Sequence, residues 1–179
     1  SVEQGWNLVG NPYHSFVDYN ELTSTGLSGT YYIFSTASGN YVPLTGANLI
    51  APSQGFWVDK TTPGSANLTF EEADKVNSNA TTFLRNKADK PFALNLSNSI
   101  NPFQHKLSVR FNAQALNEFD PMDARHLPSP IEEAPALVSK ATNSKHNLVI
   151  NAVSLWEESH LIPLEVQAGV EGHYTIKAE

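Results

Sequence analysis

The chain has 179 residues, a formal net charge of −7 and a pI near 5.3, and only 16% of its residues are charged. The 11 Lys and Arg are scattered, which excludes the clustered cations that a nucleic-acid or anionic-membrane surface needs. With no cysteine there are no disulfides, thiolate metal ligands or cysteine nucleophiles, and no apolar run reaches the roughly 18 residues of a membrane helix.

The length suits one large β domain or two small ones. In chain order, the first apolar run is Trp6 to Val9, inside Gly5-Trp6-Asn7-Leu8-Val9-Gly10-Asn11-Pro12-Tyr13. Asn11-Pro12 marks a turn, because Pro12 forces its predecessor out of the helical region. Tyr31 to Phe34 is the next short strand, and Thr36 to Asn40 reads as a hairpin loop before Tyr41. Phe56 to Val58 follows, inside Ile50-Ala51-Pro52-Ser53-Gln54-Gly55-Phe56-Trp57-Val58. A Pro63-Gly64 turn then separates it from Leu68 to Phe70.

Helical periodicity is limited to Glu71 to Ser78 and Asn112 to Glu118, each about two turns and too short to stand alone. Asp74 to Lys90 is polar and marks a boundary. Beyond it, period-2 alternation is clear: 92, 94 and 96; 107, 109 and 111; 162, 164, 166 and 168; 174, 176 and 178. One wet face and one dry face predict antiparallel strands. The fold class expected is all-β, an antiparallel β-sandwich of jelly-roll type. It is organised as an aromatic, turn-rich subdomain over 1–76 and a sandwich over 77–179. The alternative is one continuous sandwich with the polar stretch as a long loop.

The segments Gly5 to Tyr13, Tyr32-Ile33-Phe34 with Ser38-Gly39-Asn40-Tyr41-Val42, and Ile50 to Val58 resemble the β-rich regions near the C-termini of large secreted Bacteroidetes proteins. Such regions commonly precede the C-terminal sorting domain of the type IX secretion system. Phe119-Asp120 to Asp123-Ala124, Ile162-Pro163-Leu164 and Gly172-His173-Tyr174-Thr175-Ile176 follow in the same order. The resemblance implies a secreted or cell-surface, non-catalytic accessory module, adhesin-like, with the remainder of a larger secreted polypeptide as its partner. In that family more strands follow the Tyr-Thr-Ile strand, so the resemblance also implies a sandwich truncated at its C-terminal end.

Catalytic constellations are sparse. Glu71-Glu72, Glu132-Glu133 and Glu157-Glu158 are adjacent pairs, and neighbours on an extended chain point to opposite faces. They do not supply the facing carboxylates of glycoside hydrolysis. The six histidines, His14, His105, His126, His146, His160 and His173, form no i, i+2 or i, i+4 metal pair and read as singly exposed. No Gly-x-Ser-x-Gly elbow occurs. The expectation is therefore no enzyme, no cofactor, no nucleic acid and no membrane insertion.

Two binding readings follow from the residues. Asp120-Pro121-Met122-Asp123 spaces two carboxylates as a weak calcium candidate, against an Asx-turn role for the same side chains. In Gly55 to Asp59, alternation puts Phe56 and Val58 on one face and Trp57 and Asp59 on the other, wetter one. Trp57 beside Asp59, extended by Tyr31, Tyr32 and Tyr41, is the candidate aromatic platform for a polysaccharide or cell-surface glycan. The competing reading makes these rings a second small core. Trp156 is a separate aromatic, placed after a strand.

Overall fold

The computed structural model describes residues 5–46, 48–76, 92–154 and 161–179. The protein is all-β, as the alternation predicts: among the described residues there are strands and a single 3₁₀ turn. The chain divides into two compact units, Ser1–Ile33 with Pro43–Ala88 and Phe34–Val42 with Asp89–Glu179. The expected junction after residue 76 abuts 77–91, which lies outside the described residues, as do Trp156, Glu157, Glu158 and His160.

The first unit carries β1 (Trp6–Gly10), β2 (Phe16–Asp18), β3 (Thr23–Thr25), most of β4 (Leu27–Ser35), the end of β5 (Asn40–Thr45), β6 (Leu49–Ile50), β7 (Gly55–Lys60), β8 (Asn67–Thr69) and β9 (Lys75–Val76). The main sheet runs β1-β7-β4-β5, flanked by the small sheets β6-β2-β9 and β3-β8. β1 and β7 pair antiparallel from Trp6↔Asp59 to Gly10↔Gly55, so the two most distinctive sequence segments are neighbouring strands. One face of this sheet packs on a core of Val17, Tyr19, Leu22, Tyr31, Ile50, Phe56 and Val58. Tyr31 meets Phe56 edge-on at 5.6 Å and Tyr19 at 4.4 Å. Burial pushes the Tyr19 phenol up to about 12 and raises that of Tyr31 further, with help from Asp18 and Tyr19.

Asn11 secures the turns beyond β1 and before β7. Its Nδ2 donates to Ser15 O (2.9 Å), Ala51 O (3.0 Å) and Ile50 O (3.3 Å), and its Oδ1 accepts from Tyr13 N (2.9 Å). Gln54 returns the favour by accepting Ala51 N on Oε1 and Asn11 N on its carbonyl. The Asn-Pro and Pro-Ser-Gln-Gly turns are thus interlocked through side chains of their own sequence.

The second unit carries β10 (Phe92–Asn98), β11 (Gln104–Phe111), β12 (Ala124–Arg125), β13 (Ala136–Ser139), β14 (Leu148–Val153), β15 (Leu164–Gln167) and β16 (Tyr174–Ala178) in one sheet. Its order is β15-β13-β14-β11-β10-β16, with β12 also on β14. Every pairing is antiparallel except β11 with β14. Leu96, Leu107 and Leu137 meet in its core, with Leu94 and Tyr174 packed against them. β13 and β14 are buried at every position and so show no alternation; a strand is expected before Trp156, where β14 lies, but none over β13.

Residues 34–42 belong to this second unit as the tip of the β4–β5 hairpin, where a loop is expected. Asn40 Nδ2 donates to Gln104 O (3.1 Å), Pro135 O (3.2 Å) and Ser38 O (3.3 Å), the same three-carbonyl arrangement as Asn11. Ser129 Oγ donates to Gly39 O. Gly39 has φ +67, and a Cβ there would sit 2.5 Å from the Phe103 ring, so both backbone and space require glycine.

The two short segments with helical periodicity do not form α-helices, in keeping with their length. Of Glu71 to Ser78, residues 71–76 are described, and they provide a 3₁₀ turn, Glu72–Asp74, before the chain extends as β9. Its Asp74 carboxylate accepts Glu71 N at 2.6 Å and closes the turn. Residues 112–118 form turns rather than a helix. Neither segment has a long enough apolar stripe to repay helix nucleation.

Candidate functional site

The sheet face opposite the first unit's core carries Trp6, Leu8 and Gly10 from β1 and Gly55, Trp57 and Asp59 from β7, with Tyr32 of β4 beside Trp57. The predicted split of Phe56 and Val58 from Trp57 and Asp59 is what the strand shows. The wetness assigned to the second face is not. Asp59 is 1% exposed and Tyr32 is also 1% exposed, with Trp6 edge-on to the Tyr32 ring at 4.9 Å. Trp57 is partly buried.

The five residues of the proposed platform do not share one exposed surface. Tyr31 aligns with Val58 and points into the core, fully buried. Tyr41 lies in the second unit with its ring 5.3 Å from Phe34. Trp57 has an open neighbour, the 63%-exposed Leu8 directly across the β1–β7 ladder. Beside that pair, Gly10 and Gly55 oppose one another, both exposed. A Cβ on Gly10 would meet no described heavy atom within 4 Å, and one on Gly55 would first meet Leu8 at 3.7 Å. Trp57 and Leu8 therefore border a strip of bare backbone.

Among the described residues, β1 is the last strand on its side of the sheet. Lys60 N donates to Gly5 O and Asn11 N to Gln54 O, which places the odd residues of β1 on the ladder. The backbone N–H and C=O of Leu8 and Gly10 then point outward along the edge. The strip combines an apolar wall, a flat floor and outward-facing donors and acceptors.

The Asp120–Asp123 loop is built differently. Asp120 accepts Met122 N at 2.6 Å and Leu116 N at 2.7 Å, one on each oxygen. Asp123 accepts Asp120 N at 3.0 Å and Ala152 N at 2.8 Å in the same way. Four backbone N–H dipoles aim at the oxygens a calcium ion would need, and one of them, Met122 N on Asp120, closes an Asx-turn. No group of three or more metal-ligating side chains occurs among the described residues. Burial pushes the Asp123 carboxyl up to about 6, against the lowering effect of its two N–H donors.

The histidines are not all singly exposed. His105, 3% exposed, and His126 pack edge-to-face with ring centroids 5.0 Å apart. Leu137 N donates to His105 Nδ1 at 3.1 Å, so the proton of the neutral ring sits on Nε2. Burial lowers His105 to about 3, helped by His126, and burial lowers His126 to about 4. A signal for His105 was present: it occupies the inward face two residues before Leu107. Nothing local marks His126, which meets it only through the fold. The Glu132-Glu133 pair lies exposed in a turn.

No protein-family model, curated protein or solved structure matches this chain.

Proposed function

We propose that this chain is a non-catalytic accessory module of a larger secreted bacterial protein, displayed at the cell surface in an adhesin-like role. One observation carries this reading. The buried polar side chains Asn11, Asn40, Asp120 and Asp123 each hold backbone groups of loops, two to four hydrogen bonds apiece. They serve the framework rather than a reacting centre. The order of the turn-and-strand segments, read as that of the secreted Bacteroidetes regions, supplies the secretory part of the proposal. Two measurements test it. Protease shaving of intact cells should remove the module, and protection from protease would refute surface display. A turnover of glycoside, ester or peptide substrates that one point substitution abolishes would refute the non-catalytic reading.

A second reading is favoured by the strip beside Trp57: binding of a polysaccharide or cell-surface glycan. A pyranose would lay its C–H face on Trp57 and Leu8, while hydroxyls reach the outward backbone groups of Leu8 and Gly10. Gly10→Val fills the floor from a Cβ that meets no described heavy atom within 4 Å, and a β-branched residue suits the strand. On a glycan array, Gly10→Val and Trp57→Ala should both abolish any signal the parent chain gives. A signal retained in both variants would refute this site.

A further inference from the structure

We propose that the cleft between the β11–β12 and β13–β14 connections binds a uronic acid residue, a pyranose that carries a carboxylate. The cleft lies wholly in the second unit, separate from the Trp57 strip, and its ligand depends on neither reading above. It measures about 450 Å³, a size that suits a small-molecule site. Glu118 and Phe119 line it from one connection and residues 142–146 from the other.

Backbone bonds build its frame. Thr142 N donates to Asn117 O at 2.7 Å, and Glu118 forms a parallel bridge with Thr142, so the two connections are joined there. The Phe119 and His146 rings meet at 5.5 Å, tilted by 54°. Between these two ties the 142–146 loop folds on itself, with Ser144 N on Ala141 O at 3.2 Å and His146 N on Ser144 Oγ at 3.1 Å. Just beyond the loop, His126 N donates to Asn147 O at 2.7 Å. On the facing side Asp120, the residue after Phe119, is held by Leu116 N and Met122 N. A cleft fixed in this way loses little conformational freedom when a ligand enters.

The lining is chemically divided. Thr142-Asn143-Ser144-Lys145 supplies hydroxyl, amide and ammonium donors and no carboxylate, while the carboxylate of Glu118 comes from the other connection. Glu118, Asn143 and Lys145 are exposed, so solvent reaches them. Asn143 stands at φ +57, a left-handed position that asparagine tolerates. A uronic acid matches each part. Its carboxylate takes a charge-assisted bond from Lys145. Its hydroxyls donate to Glu118 and accept from Asn143 and Ser144, and its C–H face covers the Phe119 ring. A neutral sugar leaves Lys145 without a counter-charge, and inorganic phosphate leaves Phe119 uncovered.

The test is an amide chemical-shift titration of the isotope-labelled full chain with tetrasaccharides of glucuronate, galacturonate, mannuronate and guluronate, beside neutral tetrasaccharides of glucose, galactose and mannose. At least one uronate should bind with a Kd of about 1 mM or tighter, its shifts centred on residues 117–119 and 142–146, and the neutral sugars about tenfold or more weakly. Lys145→Ala, at an exposed position, should weaken binding about tenfold, and Lys145→Arg should restore it. Asn143→Gly removes the amide while keeping the left-handed backbone, and should weaken binding several fold without unfolding the loop. No shift with any uronate overturns the proposal. So do equal affinity for the neutral sugars, shifts centred on Trp57 instead of the cleft, or parental binding by both Lys145→Ala and Asn143→Gly.

Discussion

Replacing Asn11 separates its hydrogen-bonding role from mere space filling. Its two amide protons are shared among three carbonyls, those of Ser15, Ile50 and Ala51, and its Oδ1 accepts Tyr13 N. Asn11→Ala leaves these groups without their partner in a site where Asn11 is 4% exposed. At about 1 kcal/mol per lost bond, with the orphaned groups partly desolvated, the cost is about 3 kcal/mol. Urea unfolding followed by tryptophan fluorescence should show the midpoint falling by about 1.5 M, taking m as roughly 2 kcal/mol/M. The isosteric Asn11→Asp is the sharper probe. It keeps the acceptor for Tyr13 N but turns a carboxylate oxygen toward three carbonyl oxygens, so it should be less stable than Asn11→Ala at pH 7 and recover on acidification as the carboxyl protonates. If Asn11→Asp matched the parent, or exceeded Asn11→Ala at neutral pH, the assignment of Nδ2 as the donor holding the two turns together would be wrong.

Acid should destabilise the second unit. With His105 and His126 held down near 3 and 4 in the fold, the unfolded chain takes up their protons first as pH falls below 6.5, while Asp123, raised to about 6, takes one up in the fold first. The net uptake on unfolding between pH 6 and 4 is about one proton, so stability should fall by about 1.4 kcal/mol per pH unit; His105→Leu should flatten that slope in urea titrations, and a rise on acidification would contradict it. Gly39→Ala, at positive φ and against the Phe103 ring, should cost about 2–3 kcal/mol by chemical denaturation, whereas Gly10→Val should change stability by less than about 0.5 kcal/mol. Asp123→Ala leaves Asp120 N and Ala152 N unpartnered in buried positions and should cost about 2–4 kcal/mol, while Glu132→Ala in its exposed turn should be near neutral in the same titration.

The amino-acid sequence by itself determined the class and the faces. Period-2 alternation placed β10, β11, β15 and β16 close to where they lie, and it separated Phe56 and Val58 from Trp57 and Asp59, because side-chain direction in a strand follows from chain geometry alone. The Asn-Pro turn was legible because its residues bond to near neighbours, Tyr13 N donating to Asn11 Oδ1, whereas the Pro-Ser-Gln-Gly turn was not read from the sequence. Alternation was silent about β13 and β14, whose residues are buried on both faces and so carry no polar beat. Tertiary structure also decided what lies over each face. Asp59 and Tyr32 stand on the side that looked wet yet are buried, His105 met His126 across the fold, and the Trp57 platform shrank to a strip shared with Leu8, Gly10 and Gly55. A strand's own residues fix which way a side chain points; only the strands brought alongside fix whether it meets water.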